Sequence, residues 1–385
     1  MPSIAAKEYC TGCTACESAC PKDCITIKLD NNGFLFPVID TDMCISCGLC
    51  EKSCPIINPL KTAEYEPKAY AAYSKDEAMR LSSSSGGVFS EIAKAVLQRG
   101  GVVFGAAYNE QFEIVHICAE NEEALAKLRG AKYAQSDLRG VFAQVRQNLE
   151  AGQKVLFSGT PCQVGGLKAF LRKDYDNLLT VDFICHSVPS PMVWHEYVRY
   201  RAEQDNDGEL PESINLRSKT TGWSRYQYSN LFEYANSPDH IAKSGESLYM
   251  KLFVGGYINR ESCENCRFKG YSRVSDLTIG DFWGIWDIAP EMDDNKGTSV
   301  VLVQSRRGKE IFDLIKEYCV VQTVSLEEAS AQNQAILKSS PSNARRAEIL
   351  QLARSGGFER CKELFATPKA SFGKKILRKL RALLP

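Results

Sequence analysis

Two runs of cysteine share one spacing. Cys10, Cys13, Cys16 and Cys20 precede Pro21, and Cys44, Cys47, Cys50 and Cys54 precede Pro55, each as C-x2-C-x2-C-x3-C-P. That spacing holds [4Fe-4S] clusters. A cluster needs four thiolates, and one tight loop supplies only three. In this pattern the fourth cysteine of each run ligates the other cluster. Cys10, Cys13, Cys16 and Cys54 are therefore expected to hold one cluster, and Cys44, Cys47, Cys50 and Cys20 the second. The chemistry is one-electron transfer. Structural zinc competes for the same residue type, but it takes paired C-x2-C units or mixed cysteine and histidine. A disulfide framework belongs to an oxidising compartment. Met1 to Tyr9 lacks the apolar core of a signal peptide, so a cytoplasmic location is expected.

Elements must position these loops. Between the runs, residues 24–29 read as a strand, Asp30 to Gly33 as a turn, and residues 34–39 as the returning strand, the hairpin of a small ferredoxin. Cys24 lies outside the spacing and reads as a packed thiol. Residues 55–67 read as a linker. A short strand at 69–73 and a polar Ser82 to Gly87 loop follow, then a helix over 88–98. Strands are expected at 102–107 and 112–119, and a helix capped by Asn121 through 128. A further helix spans about 137–150. Residues 154–158 read as a strand, 162–171 as a helix and 177–184 as a strand. This alternation predicts an α/β fold class, α+β overall. The domains are a two-cluster ferredoxin at 1–60, a linker at 61–67, a mixed α/β domain at 68–340 and a helical tail at 341–385.

Length and charge bound the rest. A chain of 385 residues exceeds a ferredoxin, and 44% hydrophobic content is ample for a core. Lys plus Arg and Asp plus Glu are both 47, which argues against a nucleic-acid partner. No apolar stretch has the length of a transmembrane helix.

Four more cysteines have suggestive settings. Cys162 stands at a strand-to-helix turn, Cys185 ends a strand, and Cys263 and Cys266 form C-x2-C. Strand ends of an α/β domain converge on one rim. Together these four can hold a third [4Fe-4S] cluster, a zinc ion, or nothing. Cys118, Cys319 and Cys361 read as packing. Ser85, Gly86 and Gly87 open a helix, which suits either a phosphate or an ordinary helix start. His186 follows Cys185 and is the candidate proton carrier, with a structural histidine as the alternative. Asp276 and Asp281 suit turns as well as catalysis. Lys219 and Arg225 can meet an anionic substrate. His116, His195 and His240 show no ligand pattern.

The chain resembles the family of coenzyme F420 hydrogenase beta subunits, which includes 7-hydroxymethyl chlorophyll a reductase. The resemblance covers roughly Lys68 to Val303. It rests on Ser85-Gly86-Gly87-Val88, Arg129-Gly130-Ala131-Lys132-Tyr133 with Ser136, Gly159-Thr160-Pro161-Cys162-Gln163 and Phe183 to Ser190, together with Cys263-x2-Cys266 and Ser275 to Gly284. It implies FAD and a [4Fe-4S] cluster in the main domain. By that pattern Cys162, Cys185, Cys263 and Cys266 fall on the cluster ligands. Ser85, Gly86, Gly87, Arg129, Lys132 and Tyr133 fall on flavin-binding segments, and the two cations suit a pyrophosphate or a reduced ring.

Iron–sulfur clusters pass single electrons and a flavin exchanges two. The expected order is a ferredoxin-type or other low-potential donor, the N-terminal clusters, the third cluster, FAD, then a substrate. That substrate is a sugar, a lipid-linked saccharide or a deazaflavin coenzyme. The alternative is an electron-transfer subunit that feeds a partner enzyme and has no small-molecule substrate of its own. At the C-terminus, Phe372, Ile376, Leu377, Leu380, Leu383 and Leu384 oppose a basic face. Such a helix suits either peripheral contact with the inner membrane face or the protein's own core.

Overall fold

The computed structural model describes residues 4–62 and 64–365. The amphipathic segment at 372–384 lies outside them.

The N-terminal module is built on a hairpin of β1 (Ile25–Leu29) and β2 (Leu35–Ile39), antiparallel, with Ile25 opposite Ile39. Its turn closes on Asp30, whose Oδ1 accepts from the Asn32 and Phe34 amides at 2.9 Å. Each cysteine loop ends in one helical turn, Ala15–Ser18 and Leu49–Lys52, entered through a left-handed residue, Thr14 or Gly48. The module's own buried cluster is Cys24, Ile25 and Cys50, packed by Cys16, Cys20, Ile39 and Cys44. It is a core made mostly of thiols.

The main domain carries β3 (Lys68–Ser74), β4 (Val102–Tyr108), β5 (Ile114–Ala119), β6 (Val155–Gly159), β7 (Leu178–Phe183), β8 (Ser213–Ser218), β9 (Ser229–Glu233), β10 (His240–Lys243), β11 (Leu277–Asp281), β12 (Ser299–Val303) and β13 (Cys319–Val324). Eight of them form one mixed sheet in the order β13-β3-β12-β11-β7-β6-β4-β5. The centre, β11-β7-β6-β4, is parallel, and the flanking pairs are antiparallel. Helices Val88–Leu97, Glu122–Leu128 and Arg306–Ile315 bury their apolar sides on one face. Helices Val141–Glu150 and Pro161–Leu171 cover the other, and Cys13 and Ala15 of the ferredoxin module belong to that same core. A three-stranded sheet, β10-β9-β8, packs with helices Pro191–Asp205, Leu248–Val254, Arg346–Arg354 and Phe358–Glu363.

Two boundaries differ from the sequence reading. The helix expected from about 137 starts at Val141, because Asp137 is used as a strand: its amide donates to Ile114 O and its carbonyl accepts from the His116 amide. The strand expected from 112 starts at Ile114, because Phe112 takes a left-handed turn conformation at φ 58°. Helix Pro191–Asp205 buries Val193, Trp194, Tyr197, Val198, Tyr200 and Ala202 over a wide arc, so no narrow apolar stripe announces it. No helix among the described residues is long and apolar enough to cross a membrane.

Candidate electron-transfer site

Three cavities are lined by cysteine. Cys10, Cys13, Cys16 and Cys54 surround one. Cys20, Cys44, Cys47 and Cys50 surround a second. Each set takes three thiols from one run and the fourth from the other. The hairpin brings this about by returning the chain so that the two loops face each other. Cys24 is packed as expected, and it also lines the second cavity, with its Sγ 3.3 Å from that of Cys20.

The third cavity collects Cys162, Cys185, Cys263 and Cys266. β6 and β7 are parallel neighbours, so both chains leave the sheet on the same edge. After β6, Thr160 caps helix Pro161–Leu171 in a reciprocal capping box. Its Oγ1 accepts from the Gln163 amide, and Gln163 Oε1 accepts from the Thr160 amide at 2.8 Å. This holds Cys162 in the first turn. Cys185 lies two residues past β7. The C-x2-C segment is tied down by Arg260 N donating to Val188 O at 2.8 Å and Cys266 N donating to Ser339 Oγ at 3.0 Å.

Burial pushes the Cys185 and Cys263 thiols up to about 12, and raises Cys162 further; in the first cavity it pushes Cys13 up to about 11. Four crowded thiolates are unfavourable without a compensating cation, and bound iron would reverse that balance. Among the described residues no group of three or more His, Cys, Asp or Glu side chains could hold a single metal ion. A tetrahedral zinc would draw its sulfurs within about 3.8 Å of one another, from bonds of about 2.3 Å. The third cavity carries a further sign: three of the residues that line it, His186, Ser187 and Arg260, have buried polar atoms without partners, Nε2, Oγ and Nη2. Orphaned buried polar atoms are rare, and three around one cavity fit an occupant that accepts hydrogen bonds.

The third cavity adjoins the first, and Thr11 and Ile56 line both. Two side chains hold this seam. Gln135 Oε1 accepts from the Leu35 amide at 3.1 Å and from Arg260 Nη1 at 3.0 Å, and Arg260 Nε donates to Cys10 O at 2.7 Å. A Cβ on Gly166 would stand 2.8 Å from Cys13 Sγ, so only glycine lets the helix of Cys162 approach the ferredoxin loop. At the far end Cys47 is exposed.

Two family models cover most of the main domain. Residues 69–143 match the N-terminal part, and residues 152–329 the C-terminal part, of "Coenzyme F420 hydrogenase/dehydrogenase, beta subunit". Residues 9–56 match a 4Fe-4S dicluster domain. A subunit of the F(420)H(2) dehydrogenase of Methanosarcina mazei is 30% identical over 327 residues, covering 80% of this chain and 83% of that protein. The chain belongs to the family of coenzyme F420 hydrogenase/dehydrogenase beta subunits. A chain of the solved F420-reducing [NiFe] hydrogenase complex from Methanosarcina barkeri is 16% identical, with a TM-score of 0.47 over 79% of this chain and 95% of that one.

The remaining family motifs gather around a second region. Gly87, at φ 85°, opens helix Val88–Leu97, and Arg129 Nε donates to Ser90 Oγ in its first turn at 3.2 Å. Ser85 Oγ donates to Thr298 O, and the Gly86 amide to Ser299 Oγ at 3.0 Å, so part of this loop is committed to the sheet. Tyr133 OH accepts from Arg217 Nη1 at 3.3 Å, and Arg217 forms a buried ion pair with Asp281. Lys219 Nζ donates to Ser85 O at 2.7 Å, beside the same pair. Lys132 points elsewhere. Burial pulls it down to about 7, and its Nζ donates to the carbonyls of Arg129 and Gly130, which shapes the turn.

His186 lines the third cavity, edge-on to Phe253, and burial pulls its pKa down. Asp276 is structural: its Oδ2 accepts from the Thr180 amide and hydroxyl. Arg225 is exposed. Cys118 is half-buried, and Cys319 and Cys361 are buried. Arg217, Gln135 and Arg260 had no signal in the sequence, since the hydrogen-bond partners of their side chains lie 64 or more positions away.

Proposed function

We propose that this chain is an iron–sulfur electron-transfer subunit, passing electrons between a ferredoxin-type or other low-potential donor and a partner enzyme of the coenzyme F420 hydrogenase/dehydrogenase type. One observation carries the reading: three sets of four cysteines lie in series, from the exposed Cys47 to a cavity at the sheet edge that shares Thr11 and Ile56 with its neighbour. [4Fe-4S] clusters bound there would supply one-electron exchange at potentials set by their surroundings. Cys10, Cys13, Cys16 and Cys54 would hold one, Cys20, Cys44, Cys47 and Cys50 another, and Cys162, Cys185, Cys263 and Cys266 the third. Ile56 lines both the Cys10 site and the third site, and Gln135 and Arg260 clasp the seam between them.

A finer reading makes the chain a reductase with FAD and a substrate of its own. It is favoured by the convergence of Arg129, Ser83 and Ser90 on the first turn of helix Val88–Leu97, where free amides suit a pyrophosphate. Ser85, Gly86, Gly87 and Tyr133 would border the cofactor, with Lys219 next to them. Lys132 would act by holding the turn of Arg129. His186 stands at the third cavity and would move a proton there. Sugars, lipid-linked saccharides and deazaflavin coenzymes are the substrate classes to try.

Anaerobic purification with iron, sulfide and flavin analysis is the test. About twelve irons per chain support three four-iron clusters, and about eight remove the third. Bound flavin with product formed by the chain alone supports the reductase. Electron uptake that yields product only after a partner is added supports the electron-transfer reading.

A further inference from the structure

Arg260 is a large, 2% exposed cation for which no carboxylate partner is found among the described residues. Its Nε is spent on Cys10 O, and its Nη1 on Leu35 O and Gln135 Oε1. These bonds and the Phe36 ring, 3.9 Å from the guanidinium carbon, lock the plane of the fork. Nη2 is left buried with no partner, on a residue that lines the third cavity. The anionic groups that bear on it are the thiol of Cys10 first, which the guanidinium also meets through a side-chain hydrogen bond, and then those of Cys263 and Cys162. Neighbouring cations are engaged with the protein: Lys269 donates to Cys185 O and Ala335 O, and Arg273 pairs with Asp182.

An uncompensated charge inside a protein is costly, and arginine cannot escape the cost by losing its proton. A cluster held by thiolates carries negative charge, and one-electron reduction adds more. A fixed cation and a hydrogen bond beside it both stabilise the reduced form and raise the potential. We infer that Arg260 sets the reduction potential of the cluster held by Cys162, Cys185, Cys263 and Cys266, through its free Nη2 donor and its charge at the boundary with the Cys10 cluster. Arg260 is then a positioning and tuning residue. The inference rests on the third cluster of the proposed function.

The test is a redox titration of the anaerobically purified full chain, followed by electron paramagnetic resonance, for wild type, Arg260→Lys and Arg260→Gln. Arg260→Gln is expected to lower the third cluster's potential by about 59 mV or more, a tenfold change in a one-electron equilibrium. Arg260→Lys should shift it less, and the cluster at Cys20, Cys44, Cys47 and Cys50 should not move. Full iron with an unchanged third-cluster potential in both variants overturns the inference and leaves Arg260 a clasp. Should neither variant fold, wild type grown with isotopically labelled arginine decides. Electron–nuclear double resonance should find an arginine nitrogen and an exchangeable proton coupled to the reduced third cluster, and their absence overturns the inference. A wild type with only about eight irons removes the third cluster itself, a failure of the underlying reading that no Arg260 variant could imitate.

Discussion

Cys162 and Cys13 belong to different domains, yet a single glycine governs how closely their sites approach. Gly166→Ala would place a methyl 2.7 Å from Cys13 Cβ and 2.8 Å from its Sγ, so the ferredoxin loop must move. The variant should lose iron from the Cys10 set first, read as a fall in iron per chain with the signal of the outer cluster retained. Cys162→Ser removes one of the four thiols of the third cavity and should cut iron from about twelve to about eight per chain, while residues 9–56 keep theirs. At this scale the eight ferredoxin cysteines were readable because spacing alone groups them. Cys24 was legible as a packed thiol but not as a neighbour of Cys20 at the second cavity. Arg260 was not legible, because its value lies in what it meets at Cys10, Leu35 and Gln135.

Elements carry the site to one edge of the sheet. Parallel pairing of β6 with β7 matters more here than any side chain, since it turns two distant cysteines into neighbours. Two buried polar contacts steady this region. His116 on β5 reaches over β4, its Nε2 3.0 Å from Ser158 O on β6, and burial pulls its pKa down to about 4 from an ordinary 6.5. Between those values the unfolded chain holds the proton and the folded chain does not, so stability rises with pH from about 4 to 6.5. From pH 6.5 down to pH 5 the loss should be roughly 2 kcal/mol, and denaturant titrations of His116→Gln should show a flatter pH dependence. The Arg217–Asp281 pair ties β8 to β11, with side chains 4% and 20% exposed. Arg217→Met takes the ion-pair partner from Asp281, leaving Ser85 and Lys219 beside its carboxylate, and should cost about 3 kcal/mol, seen as a lower unfolding midpoint. The strands and helices between residues 69 and 184 were largely legible from period and caps, Asn121 among them, whereas β8 to β13 were not read. The start at Val141 was missed because Asp137 was drawn into strand pairing by a partner distant in sequence.

In the whole molecule the two modules share a core. Ala15 and Cys13 pack with Val164 and Leu167, while the ferredoxin's own cluster of buried residues is mostly thiol. Iron is then a folding ligand for residues 4–60, and the eight-stranded sheet has aliphatic cores on both faces. Chelating the iron should raise hydrogen exchange across β1 and β2 and leave β6 and β7 protected; uniform loss of protection would mean that the sheet depends on the clusters too. The sequence by itself determined the electron-transfer chemistry, the two ferredoxin ligand sets and the α/β class, because those rest on local spacing and periodicity. The meeting of four separated cysteines was expected from strand ends and family motifs, and the structure brings them to one cavity; the tertiary structure alone decided that this cavity abuts the Cys10 set and that a buried arginine stands at their boundary. These depend on which strands pair and which faces pack, contacts between residues up to 250 positions apart that no local pattern encodes.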